Sequence, residues 1–398
     1  MKNWLSLLGG AVIAAAFLGP GTITTAARSG SSHGLSLLWA LAFATIACWI
    51  LQEASARLTI VTGHSLGEAL RRRFTDPTIS RGVVWSVAAA VLLGCAAYEA
   101  GNILGGVAGM ELVLPWSRRA LTLLSAGFAA VLLGLGSTRQ VVTVLSLLVA
   151  VMGGAFLTTA LRLGPAGADL LAGLTKPQVP VGGGLLVLGL VGTTVVPYNL
   201  FLGSGLAKGQ DLRSTRAGLL VAIGLGGVIS MAVVVVGTAV AQPFAFDKLA
   251  EVLTSQLGGW ASVFFAAGLF AAGFSSAVTA PLAAAMTARS LFARDADDPA
   301  WGDRGKAYRC VWAGVLACGA LFGFLEVRPV PAILVAQALN GILLPVVAVF
   351  LLVVMNDRRQ LRDSANGLWQ NIALGSVVLL TVALGLRGLR GVFLSLFS

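Results

Sequence analysis

The chain has 398 residues, of which 57% are hydrophobic and 11% are charged, and its mean hydropathy is +0.90. A soluble globular domain carries about 25% charged residues, so this composition excludes a soluble protein and predicts one embedded in a membrane. The net charge of +11 would suggest a nucleic-acid partner in a soluble protein. In a membrane protein, Lys and Arg collect in loops and set the topology, so we expect the lipid bilayer as partner and no nucleic acid.

Hydrophobic segments follow one another from end to end, each near the roughly 20 residues that span a bilayer. The sequence therefore predicts an all-α polytopic membrane protein with one transmembrane domain over 1–398 and no extramembrane domain. The polar stretches 71–77 and 294–304 are predicted to be solvated connectors. The segments, numbered 1 to 11, lie at about 7–28, 35–58, 83–108, 119–137, 140–161, 184–207, 216–241, 259–290, 308–326, 330–355 and 368–388.

The basic residues are divided unequally between the two sides of this arrangement. Eighteen of the 27 Lys and Arg fall on the side of the N-terminus. Basic loops stay in the cytoplasm, so the sequence predicts a cytoplasmic N-terminus and an external C-terminus in a bacterial inner (plasma) membrane.

The few cysteines and histidines exclude several classes of site. No spacing typical of a metal site or a disulfide framework occurs, and no nucleophile–base set or cofactor fingerprint is present. We therefore expect neither an enzyme nor a cofactor. The residues concerned are Cys48, Cys95, Cys310, Cys318, His33 and His64.

Two hydrophobic segments are interrupted by glycine, proline and threonine. Segment 1 contains FLGPGTITT (17–25) and segment 6 contains GTTVVPYN (192–199). Proline removes a backbone donor and glycine tolerates unwound geometry. A pair of such breaks in corresponding segments of two repeats indicates a transporter binding site. The alternative is a pair of ordinary proline kinks, which are common in membrane helices.

Several stretches carry a resemblance to a known family: LQEASARL (51–58), VTG (61–63), AGFSS (272–276), QAL (337–339) and LP (344–345). Together with the two breaks, they make the chain resemble the Nramp family of proton-coupled divalent-metal transporters over nearly its whole length. The resemblance implies a LeuT-type fold with alternating access. Its inverted repeats would be segments 1–5 (about 7–161) and 6–10 (about 184–355), and the extra helix would be about 368–388.

The departures from the Nramp pattern fall on its metal ligands. Where the pattern has an aspartate, an asparagine, a methionine and a histidine, the chain has Gly19, Thr22, Val196 and Tyr198. A second glutamine of segment 10 is replaced by Leu343. The resemblance therefore keeps the scaffold and loses the ligands, and we expect no metal site.

The altered site is neutral and rich in hydroxyl groups, which both donate and accept. Helix N-termini at the breaks favour anions. We therefore favour a small anion or polar solute of bicarbonate or carboxylate size. The alternatives are a divalent cation (Mn²⁺ or Mg²⁺) in a site rebuilt from carbonyls and amides, and a non-transporting or channel-like protein. The expected substrate-binding residues are Gly19, Gly21, Thr22, Thr193, Thr194, Val196, Tyr198, Asn199 and Gln337.

Coupling to H⁺ or Na⁺ is expected through a second group of residues. Glu99 is an acid inside a hydrophobic segment, and such residues are functional candidates because they are costly in a membrane. The resemblance adds Asn102 and Arg309 to a proton pathway, and Ser275 and Ser276 could bind Na⁺ instead. A purely structural Glu99–Arg309 pair is the alternative. Thr24 and Thr25 are expected to bond carbonyls of their own helix, and the protein is expected to be monomeric.

Overall fold

The computed structural model describes residues 18–135, 139–295 and 298–397, and every regular element in these ranges is helical. A short 3₁₀ turn covers Arg362–Ser364. The helices are α1 (Pro20–His33), α2 (Leu38–Thr62), α3 (Leu66–Arg73), α4 (Pro77–Glu111), α5 (Arg118–Leu135), α6 (Arg139–Leu163), α7 (Gly167–Thr175), α8 (Gly184–Thr194), α9 (Pro197–Leu206), α10 (Leu212–Gly237), α11 (Phe246–Leu257), α12 (Trp260–Phe292), α13 (Lys306–Phe324), α14 (Pro329–Met355), α15 (Arg358–Leu361) and α16 (Leu368–Phe397).

Within the described ranges, ten spans are long and apolar enough to cross a membrane, with α8 and α9 together forming one of them. They confirm predicted segments 2 to 11. Segment 1 is described only from Leu18 onward, as Leu18, Gly19 and the helix α1. Its first part lies outside the described residues.

The water-facing ends of the helices are set by polar caps. Asp76 accepts hydrogen bonds from the amides of Thr78 and Ile79, both at 2.9 Å, and so begins α4. Ser65 and Glu68 form a capping box that begins α3. The prediction that 71–77 is a connector is therefore wrong in its first part, because α3 continues to Arg73.

Small residues bring the membrane helices into backbone contact. A Cβ on Gly273 of α12 would lie 2.6 Å from the Cα of Gly106 in α4. A Cβ on Gly341 of α14 would lie 2.5 Å from the Leu188 carbonyl oxygen in α8. Membrane helices associate through such close packing because lipid offers no hydrophobic drive between them. These contacts fix α4, α8, α12 and α14 around the two helix breaks.

The interior is divided into two apolar clusters. One contains Leu18 and Ile23 beside the first break. The other contains Tyr98, Val196 and Tyr198 beside the second break. The breaks therefore lie where the two clusters meet, in the interior of the protein and away from both ends of the membrane spans.

Candidate substrate site at the helix breaks

The first break precedes α1. Gly19 is extended, with φ −66° and ψ 166°, and Pro20 is the first helical residue. The first intrahelical bond of this turn runs from the Ile23 amide to the Gly19 carbonyl, at 3.2 Å. The amides of Gly21 and Thr22 have no acceptor within the helix, as at any helix start. They are donors at the positive end of α1.

The second break separates α8 from α9 at Val195 and Val196. The Val195 amide closes α8 on the Val191 carbonyl at 2.8 Å, and Pro197 begins α9. Because Pro197 has no N–H, the Thr193 carbonyl lacks the donor that a continuous helix would supply. No described residue donates a hydrogen bond to it. This break therefore offers a free acceptor beside the start of α9.

The two breaks meet at a pair of threonines. Thr22 Oγ1 and Thr193 Oγ1 are 2.9 Å apart, and both side chains are about 1% exposed. Gln337 of α14 packs against the same place. A Cβ on Gly21 would lie 2.2 Å from Gln337 Nε2. A Cβ on Gly192 would lie 2.0 Å from the main-chain carbonyl oxygen of Gln337. We call this meeting point, made of Gly21, Thr22, Gly192, Thr193 and Gln337, the threonine junction.

Two further side chains reach Gly19, on the edge of the threonine junction. A Cβ built on Gly19 would lie 3.2 Å from the Tyr98 hydroxyl and 3.6 Å from Ser276 Oγ. The rings of Tyr98 and Tyr198 pack edge to face with centroids 5.5 Å apart. A side chain at position 19 would therefore point toward hydroxyl groups from α4 and α12.

The site is made of hydroxyl, amide and carbonyl groups. Within the described ranges, no group of three or more His, Cys, Asp or Glu residues could hold a metal ion. His33 ends α1, and His64 lies between α2 and α3. Desolvation and the nearby Arg72 charge lower the pKa of His64, so this imidazole is uncharged at neutral pH.

The chain matches the model of a known protein family. The family model described as natural resistance-associated macrophage protein-like (Nramp) matches residues 10–390. The chain belongs to the Nramp family. The resemblance seen in the sequence is thereby confirmed over nearly the whole chain.

Curated relatives carry the name divalent metal cation transporter MntH. The protein from Verminephrobacter eiseniae is 30% identical over 292 residues, which cover 68% of this chain and 65% of that protein. The protein from Deinococcus radiodurans is 29% identical over 303 residues, which cover 71% of this chain and 68% of that protein. The chain thus aligns with about two thirds of the length of these relatives.

Solved structures show the same fold at low sequence identity. A manganese transporter from Eremococcus coleocola, in complex with an aromatic bis-isothiourea substituted compound, is 20% identical with a TM-score of 0.76. The match covers 97% of this chain and 87% of that one. Mhp1, a nucleobase-cation-symport-1 family transporter, is 14% identical with a TM-score of 0.59, covering 97% and 92% of the two chains. The Nramp-family chain therefore has the LeuT-type fold predicted from its sequence.

The remaining predicted substrate residues lie around the second break of this Nramp protein. Val196 is buried in the break itself, and Asn199 is half-buried one turn into α9. The Thr194 hydroxyl donates to the Leu190 carbonyl of its own helix at 2.8 Å, so it is turned away from the threonine junction. Thr24 and Thr25 were expected to make bonds of this kind. Their hydroxyls are instead buried, with no partner in the part of the chain that the structure describes.

The predicted coupling residues are only partly brought together. Glu99 is fully buried, and its Oε2 accepts from Asn102 Nδ2 at 3.2 Å. Glu99 Oε1 is buried and has no partner among the described residues. Ser276 lies beside Gly19, whereas the Ser275 hydroxyl donates to the Ala272 carbonyl of its own helix at 3.1 Å.

The predicted pairing of Glu99 with Arg309 is wrong. Glu99 packs against Gly319 of α13, where a Cβ would lie 2.7 Å from its Cγ. Arg309 is exposed at the start of the same helix, ten residues away, or about 15 Å at 1.5 Å per residue. A match to a family position does not say how far along a helix a contact falls.

Two polar residues near the breaks were missed. Tyr98 reaches Gly19, as described above. Asn340 of α14 is fully buried, its Nδ2 donates to the Ala336 carbonyl at 3.1 Å, and its Oδ1 has no partner within residues 18–135, 139–295 and 298–397. Both interrupt long apolar segments, as Glu99 and Gln337 do, and that signal would have found them.

Proposed function

We propose that this chain is a secondary-active transporter with alternating access whose substrate binds at the threonine junction. The observation that carries the proposal is the buried 2.9 Å contact between Thr22 and Thr193, which joins the breaks of two interrupted helices. Interrupted helices place free backbone groups at a protected site near the bilayer midplane. In lipid, such groups are tolerated only where protein or a water-filled cavity satisfies them.

We infer that the substrate is a small anion or a polar solute of bicarbonate or carboxylate size. Two helix N-termini and several hydroxyl groups supply donors at the site, and the first turns of α1 and α9 contain no acidic residue. A helix N-terminus stabilises negative charge by about 0.3–1 kcal/mol, and by up to about 2 kcal/mol in partly buried geometry. Hydroxyl groups complete the shell because they rotate to donate.

The names of the relatives favour a second candidate, a divalent metal cation such as Mn²⁺ or Mg²⁺. This function would use oxygen acceptors that lack partners in the described part of the chain, namely the Thr193 carbonyl and Gln337 Oε1. Against it stands the absence of counter-charge, because desolvating an ion costs several kcal/mol that neutral oxygens offset poorly. The geometry of the site thus supports an anion or polar solute, whereas the names of the relatives support a divalent cation. One experiment separates the two.

The experiment is calorimetric titration of the purified protein with Mn²⁺, Mg²⁺, bicarbonate and short carboxylates, followed by uptake into proteoliposomes. If the substrate is an anion or polar solute, bicarbonate or a short carboxylate should bind saturably, and neither Mn²⁺ nor Mg²⁺ should bind. Thr22→Ala should weaken that binding about tenfold, the loss expected for a hydrogen bond to a charged group. Thr24→Ala is the matched control, since it removes a buried hydroxyl from the same helix.

Each other outcome has a definite meaning. Saturable Mn²⁺ binding that Thr22→Ala abolishes and Thr24→Ala preserves replaces the anion with the divalent cation. Uptake that never saturates indicates a channel-like protein. Binding that is insensitive to Thr22→Ala removes the substrate from the threonine junction.

We further propose that Glu99 carries coupling to a co-transported H⁺. It is a fully buried acid with one unpartnered oxygen, and intramembrane acids of this kind mark proton pathways. Uptake by wild type should depend on an imposed pH gradient, and Glu99→Gln should lose that dependence. Glu111→Gln is the control, because Glu111 ends the same helix and is paired with Arg118 at 2.8 Å. Uptake driven by Na⁺ alone would move the coupling to Ser276 and the Thr193 carbonyl.

A bacterial inner-membrane location, a cytoplasmic N-terminus and a monomeric state complete the proposal. The distribution of basic residues along the chain supports the orientation. Light scattering of the detergent-solubilised protein tests the monomer, and a mass of two chains would contradict it.

A further inference from the structure

A cavity of about 300 Å³ lies between α2, α10 and the start of α16, away from the threonine junction. Its charged lining is Glu53 and Arg57 of α2 and Arg216 of α10. Its apolar lining includes Trp49 and Leu374. The three helices thus enclose a pocket with one charged wall and one apolar wall.

The charged wall has an excess of one positive charge. Glu53 Oε1 accepts from Arg57 Nε at 3.2 Å and from Arg216 Nη2 at 2.6 Å. Both terminal nitrogens of Arg57 are also used, on the Ser364 carbonyl and on Asn366 Oδ1, each at 2.7 Å. A carboxylate shared by two guanidinium groups leaves one charge unbalanced.

Arg216 is the group that remains available. Its Nε and Nη2 both donate to Glu53, and its Nη1 has no partner in the described part of the chain. Its side chain is 43% exposed, whereas that of Arg57 is 5% exposed. Glu53 therefore holds the Arg216 guanidinium in place with its free edge outward. Guanidinium groups held in this way match the oxygens of a phosphate.

The surroundings place this guanidinium at the membrane surface. Arg57 is near the end of α2 and Arg216 near the start of α10, on the side that carries the basic loops. One helical turn further into the membrane, Ile46 is 61% exposed on the face of Ile50, and Leu220 is 59% exposed on the face of Arg216. Trp369, at the start of α16, is exposed at the level where aromatic residues mark a membrane interface.

We propose that this cavity binds an anionic phospholipid of the basic-loop leaflet, with the headgroup phosphate on Arg216 and the acyl chains along Ile46 and Leu220. Basic pockets between membrane helices bind such headgroups. The proposal is independent of the transported substrate, because none of the cavity residues belongs to the threonine junction.

The test uses the full chain in nanodiscs of phosphatidylcholine with or without phosphatidylglycerol. Phosphatidylglycerol with brominated chains should quench Trp49 fluorescence, read as the difference between wild type and Trp49→Phe. Arg216→Gln should weaken the apparent affinity about fivefold, the loss expected for one basic residue near a charged surface. Arg213→Gln is the matched control, since Arg213 is exposed on the same helix, outside the cavity, and its loss changes the net charge equally.

A second variant separates binding from stability. Ala373→Phe fills the cavity without removing a charge, and it should also abolish the quenching while the melting temperature stays within a few degrees. Equal effects of Arg216→Gln and Arg213→Gln would overturn the proposal. Displacement of the lipid by glycerol phosphate or inorganic phosphate at similar concentration would also overturn it, because the site would then recognise a free phosphate.

Discussion

The sequence resemblance to the Nramp pattern implies an aspartate at the position of Gly19 and a methionine at the position of Val196. The Cβ direction at Gly19 points toward the Tyr98 hydroxyl at 3.2 Å and Ser276 Oγ at 3.6 Å, so a carboxylate there would be surrounded by hydroxyl groups. Val196 is buried in the second break. These positions decide whether the site can compensate the charge of a cation.

We predict that Gly19→Asp combined with Val196→Met creates Mn²⁺ binding in a protein that otherwise lacks it. The aspartate supplies counter-charge and the methionine a thioether, which suits transition metals. Calorimetric titration with Mn²⁺ is the measurement, and Val196→Met alone is the control without the carboxylate. A folded double variant that binds no Mn²⁺ would mean that the residue-by-residue mapping is incorrect.

Glycine at position 192 is required by packing rather than by chain flexibility. A Cβ there would lie 2.0 Å from the Gln337 carbonyl oxygen and 2.4 Å from the Gly341 amide nitrogen, both backbone atoms. Gly192→Ala should therefore destabilise the protein by about 1–3 kcal/mol, the usual cost of overpacking.

The matched control is Gly224→Ala in α10, where a Cβ would meet nothing within 4 Å. That change should leave the melting temperature equal or slightly higher, because alanine favours a helix over glycine. Thermal unfolding in detergent measures both variants. Equal melting temperatures would show that α8 can move away from α14.

At the scale of helices, the break between α8 and α9 depends on Pro197. The Thr193 carbonyl is free because the proline cannot donate to it. Pro197→Ala restores an N–H, so a continuous helix could form, and the first amides of α9 would then bond within that helix instead of donating to the substrate. We expect saturable uptake of the anion to fall about tenfold, a loss within the range of a partly buried helix N-terminus, with no loss of thermal stability.

Pro329→Ala supplies the comparison for this helix change. Pro329 is also the first residue of a helix, α14, but it lies at the end of that helix and outside the threonine junction. Uptake should be unchanged in this variant. If both variants transport like wild type, the break before α9 is not part of the site.

The sequence predicted helices well and helix contacts poorly. Membrane spans follow from long apolar runs, and the breaks follow from Pro20 and Pro197, because both signals are local. The short helices α7 and α11, of 9 and 12 residues, were missed, since they are too short to give a spanning signal. The contact of Gly192 with Gln337 joins residues far apart in the chain, and no local pattern encodes it.

The candidate site was likewise predicted only in part, because local signals locate the breaks but do not show which helix faces meet. Thr22 and Thr193 were expected in one site because both adjoin the breaks, but no contact between them was predicted. The error at Arg309 and the omission of Tyr98 have one cause. Which residues face each other across α4, α12 and α13 depends on helix rotation and offset, and these are set by the glycine contacts.

At the scale of the whole molecule, orientation in the membrane can be read from one cysteine. Cys310 is exposed near the start of α13, whereas Cys48 and Cys95 are buried. The distribution of basic residues predicts that the start of α13 is cytoplasmic. A membrane-impermeant maleimide should therefore label inside-out vesicles, and right-side-out vesicles only after they are opened.

Cys310→Ser is the control for this labelling and should remove most of the signal. Detergent-solubilised protein gives the full extent of reaction for comparison. Labelling of intact right-side-out vesicles would reverse the predicted topology, and it would also move the Arg216 cavity to the outer leaflet.

The bond between Thr22 and Thr193 has a consequence for selectivity. Each hydroxyl can donate or accept, so when the two hydrogen-bond to each other one proton lies between the two oxygens and the other points elsewhere. An entering anion can draw both protons toward itself, and each threonine only rotates about one bond to do so. An entering cation needs the reverse, with both protons turned away toward other acceptors. The two hydroxyl protons would thus point toward a bound anion and away from a bound cation, so their orientation depends on the sign of the substrate's charge.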